Sequence, residues 1–170
     1  IVQFLILFLF VGTLNLIFTL SCPSVVGLGG AAFPTHVKYM IPNDKKAEFL
    51  IINAVECEPY LTSDNRVMME NAEEVLIGVE IMKKALGINC AKIGIENNKP
   101  KAIAHMKKMA ASFSGTEIVP LKTKYPQGAE KQLVYALTKR EVPSGKLPIE
   151  VGPPIWRRRK RYSTRFVMCR

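Results

Sequence analysis

Phe49-Leu50-Ile51-Ile52, running straight into Asn53-Ala54-Val55-Glu56-Cys57-Glu58-Pro59-Tyr60, decides how this chain folds. Four consecutive apolar residues, with no polar alternation, predict a strand covered on both faces. The polar stretch from Asn53 to Asp64 reads as the loop leaving its carboxyl end. Further on, Ala72, Val75, Leu76, Val79, Met82 and Leu86 recur at helical spacing, and Gly87 stands where a helix stops. Lys92 to Glu96 alternates around Ile93 and Ile95 as a second strand. Asn97-Asn98-Lys99 is a turn, and Pro100 suits the first position of a helix carrying Ala102, Ile103, Met106 and Met109 on one face. Glu117 to Leu121 reads as a third strand and Gly128 to Thr138 as a third helix. This alternation predicts an α/β fold, a mostly parallel sheet with helices packed on it. The architecture is Rossmann-like, yet the dinucleotide fingerprint is missing.

Outside this regular part the chain changes character. The net charge is +10 over 170 residues, but seven of the positive charges lie between Arg157 and Arg170, and no acid occurs after Glu150. The basicity is therefore local, and residues 153–170 read as a basic, disordered tail rather than a nucleic-acid surface. At the other end, no Asp, Glu, Lys or Arg precedes Lys38. Residues 1–22 form an apolar segment whose first twenty or so residues are long enough to span a bilayer. It reads equally as sequence foreign to the domain. If it spans, the positive charges after it place the rest on the cytoplasmic side. The four cysteines are too far apart for a local zinc or iron–sulfur site.

Three stretches carry chemistry. In Gly27-Leu28-Gly29-Gly30-Ala31-Ala32-Phe33-Pro34, three glycines allow a sharp turn and close approach of backbone N–H groups to a ligand. Lys38 follows as a point charge for a phosphate. Read alone, the cluster is also an ordinary tight turn. The second stretch, Asn53 to Tyr60, sits where open α/β sheets bind ligands, beyond the carboxyl end of a strand. Asn53 offers a donor and an acceptor, while Glu56 and Glu58 face the same way in extended chain. The third, Tyr125-Pro126-Gln127-Gly128-Ala129-Glu130, joins a strand to a helix whose free N–H groups favour an anion.

Together, and in this order, the three stretches resemble the FMN- and NADH-binding domain of the 51-kilodalton subunit of respiratory complex I. They are closer still to its relative, the C subunit of Rnf ferredoxin–NAD oxidoreductase complexes. The likeness runs from about residue 26 to residue 152, the extent of the expected α/β domain. It implies FMN and NAD(H) as cofactors, with Gly27, Gly29 and Gly30 lining them, Phe33 on the NADH side and Lys38 toward the flavin phosphate or ribityl chain. Asn53 and Glu56 would contact FMN, Glu58 would lie near the nicotinamide, and Tyr125, Gly128 and Glu130 would complete the wall. It implies other subunits of a membrane complex and ferredoxin as partners, at the cytoplasmic face of the inner membrane. The cysteine runs that hold 4Fe-4S clusters in the family have no counterpart here, and beyond Gly152 the family's apolar strand and FMN-holding turn give way to Pro153-Pro154. A membrane-anchored fragment or binding module without catalysis is the alternative expectation.

Overall fold

Strand β1 (Lys46–Ala54) is the axis of the sheet. Neighbouring residues of a strand point to opposite faces, and here Leu50 and Ile51 are both fully buried. Each face must therefore be covered by something else, and each is. Burial of such a side chain contributes roughly 1.5–3 kcal/mol. The structure, a computed structural model, describes residues 46–57, 60–145 and 164–169.

After β1 come helices α1 (Ser63–Glu70) and α2 (Ala72–Leu86), then β2 (Ala91–Glu96), α3 (Pro100–Ala110), β3 (Thr116–Leu121), α4 (Glu130–Thr138) and β4 (Thr164–Cys169). The sheet order is β3-β2-β1-β4, and every pairing is parallel. One core joins Leu50, Ala54, Ala91, Ile93, Ile95 and Ile118 of the sheet to Met68 of α1, Leu76 and Val79 of α2, and Ala102 and Met106 of α3. The other joins Ile51, Val55 and Leu121 to Leu133, Val134 and Leu137 of α4. Three helices thus cover one face and α4 the other. Gly94 of β2 lets α4 come close, since a Cβ there would stand 2.9 Å from a Leu121 methyl and 3.0 Å from one of Leu133.

The expected α/β architecture is present, and α2 ends at Gly87 in the left-handed conformation. Three local readings change. Helix α1 occupies part of the stretch read as polar loop; only its Met68 is buried, so it shows no apolar stripe. Helix α4 begins at Glu130, because Tyr125 to Gly128 form a turn and Ala129 caps the helix in extended conformation. Thr164–Cys169, within the segment whose composition suggests a disordered tail, pairs with the outer edge of β1. A buried strand with one unpaired edge leaves backbone donors and acceptors to be satisfied, and that edge is where β4 lies. The apolar segment 1–22 lies outside the described residues, among which no helix is long and apolar enough to cross a membrane.

At the amino edge of the sheet the turn before β3 is tightly held. The Lys83 ammonium, almost fully buried, donates to Glu80 Oε1 at 2.6 Å, the Ser114 carbonyl at 2.5 Å and Thr116 Oγ1 at 3.5 Å. Gly115 follows with φ +73°, and a Cβ there would meet the Asn89 carbonyl oxygen at 2.0 Å. Gly78, inside α2, has nothing within 4 Å of its missing Cβ. Gly115→Ala should therefore cost about 3 kcal/mol, from left-handed strain plus a backbone clash. Gly78→Ala should add about 0.5–1 kcal/mol. Urea-unfolding midpoints of the two variants measure both, and equal midpoints would contradict this packing.

Candidate functional site

The three strands end side by side. Ala54 is beside Ile95, and Glu96 is beside Leu121, so the loops leaving β1, β2 and β3 emerge at one edge. The chain steps outward from β1 to β2 and β3, then returns to β4 on the other side of β1. Ligands of open α/β sheets bind outside the carboxyl ends where strand order reverses in this way.

Side chains tie these loops together. Asn53, at the end of β1 and 9% exposed, accepts from the Val55 N–H at 3.2 Å and donates from Nδ2 to the Gly128 carbonyl at 3.0 Å. That hydrogen bond joins two of the three motif stretches across 75 positions of sequence. Gly128 seats against the loop after β1; a Cβ there would lie 3.4 Å from both Cys57 Sγ and the Val55 carbonyl oxygen. Asn97 Oδ1 accepts from the Thr123 N–H at 3.2 Å and from its hydroxyl at 2.8 Å, which fastens the loop after β2 to the loop after β3.

Glu56 turns inward. Its side chain is 1% exposed and pairs with Lys99 Nζ at 2.5 Å through Oε2, while Oε1 accepts from the Asp64 N–H at 2.9 Å and faces the Ser63 hydroxyl at 3.5 Å. Burial works to raise the Glu56 pKa. The Lys99 hydrogen bond, the Asp64 N–H, the Lys99 charge and the Asn65 N–H outweigh it and hold the carboxyl below its ordinary 4.5. Both oxygens are engaged, so in this structure Glu56 positions its loop against α1 and the start of α3.

Of the other residues expected at the site, Tyr125 stands 77% exposed in the turn before α4, and Glu130 is exposed at the first position of that helix. Gly27, Gly29, Gly30, Phe33, Lys38 and Glu58 lie outside the described residues. The structure brings forward four residues to which motif reading gives no role. Lys99 and Asn97 make the contacts just described, while Glu96 and Gln127 are buried, 1% and 2% exposed. Tyr60, in the loop after β1, stands fully exposed with φ +67°. The sequence signal for Glu96 is a carboxylate closing an otherwise apolar strand.

The Glu56–Lys99 pair gives two expectations. Lys99→Met leaves a buried carboxylate without its cation and should cost about 3 kcal/mol or more. Because the Glu56 pKa is lowered on folding, its contribution is complete above about 4.5 and is lost as pH falls through the folded value. Glu56→Gln should therefore flatten the fall in stability below pH 4.5, read from unfolding midpoints between pH 3 and 7; an unchanged acid limb contradicts it.

Comparison with known proteins identifies the family. Residues 22–156 match the Nuo51 FMN-binding domain family. The C subunit of the proton-translocating ferredoxin:NAD(+) oxidoreductase complex of Clostridium ljungdahlii is 57% identical over 130 residues, 75% of this chain and 28% of that protein. The C subunit of the Na(+)-translocating ferredoxin:NAD(+) oxidoreductase complex of Acetobacterium woodii is 52% identical over 128 residues, 75% of this chain and 29% of that protein. The chain thus spans less than a third of the length of these relatives. Among solved structures, an NAD+-reducing [NiFe]-hydrogenase in the H2-reduced state superposes with a TM-score of 0.68 at 21% identity, covering 92% of this chain and 28% of that one, a likeness of fold. With most of its own length, residues 22–156, matched by the family, this chain belongs to the Nuo51 FMN-binding domain family.

Proposed function

We propose that this chain is the FMN- and NADH-binding part of a C-type subunit of an Rnf-like ferredoxin–NAD oxidoreductase. The observation that carries the reading is the Asn53–Gly128 hydrogen bond, which brings two of the three family-like stretches onto one carboxyl edge. The identity to the C subunits of two such complexes supports it.

The residues present fit a flavin. The edge offers an amide at Asn53 and, at Gln127, a buried acceptor with no partner among the described residues. Asn53 would fix the distance between the loop after β1 and the turn before α4, and so hold the width of the cofactor wall. Glu56, clamped by Lys99, would keep that loop in place without itself reaching outward. Tyr125 would offer an exposed ring to a planar ligand, and Glu130 would close the wall at the start of α4. Gly27, Gly29, Gly30 and Lys38 are proposed for the phosphate end, Phe33 and Glu58 for the nicotinamide side. Bound FMN would supply the conversion between the two-electron chemistry of NADH and single-electron transfer. The single electrons would pass to iron–sulfur centres elsewhere in the complex and so to ferredoxin. The assembly would work at the cytoplasmic face of a membrane, with other subunits of the complex as partners and residues 1–20 as a candidate anchor.

The test is a titration of the chain with FMN, read by quenching of flavin fluorescence, followed by NADH oxidation with ferricyanide as acceptor. Saturable, weak FMN binding and measurable ferricyanide reduction are expected. Asn53→Ala should weaken FMN binding about tenfold, the equivalent of about 1.4 kcal/mol, by untying the turn at Gly128. No flavin binding up to millimolar concentration would leave only a non-catalytic binding module.

A further inference from the structure

Glu96 is the one acidic side chain among the described residues that is fully buried and has no hydrogen-bond partner on either oxygen. Buried carboxylates are ordinarily paired, as Glu56 is with Lys99, because an unmet polar group in the interior is costly. Gln127 Oε1 is the other buried side-chain acceptor without a donor among the described residues.

Both lie toward the carboxyl edge, on the α4 side of the sheet. Glu96 closes β2 and, by strand alternation, shares a sheet face with Gly94, whose missing side chain is filled by Leu121, Leu133 and Leu137. That is the α4 face, and Glu96 stands one step nearer the carboxyl edge. Ala54, the last residue of β1, pairs with Ile95, and Val55 and Glu96 follow them in sequence. Gly128 rests on Val55, and Gln127 precedes it. The three unpartnered oxygens thus belong to residues toward the carboxyl end of the α4 face, Glu96 at the end of β2 and Gln127 in the turn before α4.

All three atoms accept. A lining of acceptors selects a group that donates, and an acidic side chain disfavours a phosphate. We infer that Glu96, with Gln127, holds the uncharged, hydrogen-bond-donating part of a bound flavin, either a ribityl hydroxyl or the imide N–H of the ring. The inference rests on the flavin reading above and adds a ligand contact from β2, a strand that contains none of the three motif stretches. It also separates two roles for acids at this edge: Glu56 positions, Glu96 binds.

The full chain and its Glu96→Gln and Glu96→Met variants are to be titrated with FMN and with N3-methyl-FMN, and their ligand-free unfolding midpoints measured in urea. Glu96→Gln exchanges one of the two acceptor oxygens for an N–H donor and should weaken FMN binding about tenfold to hundredfold. Glu96→Met removes the unpartnered group and should unfold at equal or higher urea than the parent, yet bind FMN as poorly. Gained stability with lost affinity is the signature that a merely structural residue does not give. With N3-methyl-FMN, a penalty that persists assigns the hydroxyls, and one that vanishes assigns the imide. FMN affinities within twofold in all three proteins would overturn the inference alone. So would a loss of affinity that only follows a loss of ligand-free stability. No saturable FMN binding by the parent chain would overturn the flavin reading and this inference together.

Discussion

Burial of β1 on both faces is the constraint from which the rest of the molecule follows. Leu50 and Ile51 point in opposite directions and neither meets water. A strand in that position cannot be a hairpin edge. It needs helices above and below, and parallel neighbours reached by crossovers. The polar residues that a buried strand excludes are pushed to its carboxyl end, where the apolar run stops at Asn53. The position of the site is thus a by-product of the packing of the strand.

At that end, among the described residues, side chains fasten the loops to one another. Asn53 holds the turn at Gly128, Glu56 holds Lys99, and Asn97 holds Thr123. Each link joins residues from different crossovers, so the edge behaves as one framework. Preorganisation of this sort lowers the entropy that a ligand must remove on binding. It also explains why the Glu56 carboxylate is spent inward: a loop that presents neighbouring groups must itself be held.

Much of this is legible in the chain, for physical reasons. The run Phe49 to Ile52 and the helical spacing from Ala72 to Leu86 report burial directly, because burial is what sets apolar periodicity. Helix α1 is not legible, since a helix with only Met68 buried leaves no stripe to read. Asn53 and Gly128 stand out as residue types, but nothing local says that one bonds the other. The same holds for Glu56, whose partner Lys99 lies 43 positions away. Glu96 and Gln127 are hidden more deeply, because their interest lies in what they fail to contact. In residues 164–169 the basic neighbours mask a short apolar stretch, and only the open edge of β1 explains its pairing.

The buried ammonium of Lys83 has a consequence of its own. It anchors the turn before β3 at the amino edge, whereas the polar links just described stand at the carboxyl edge. The six residues of β2 that separate the two edges span roughly 17 Å at about 3.3 Å each, beyond the range over which neighbouring substitutions usually couple. The two sets of polar ties therefore hold the sheet independently at its two ends. A substitution that loosens the loops at one end should leave the turn held by Lys83 at the other end undisturbed.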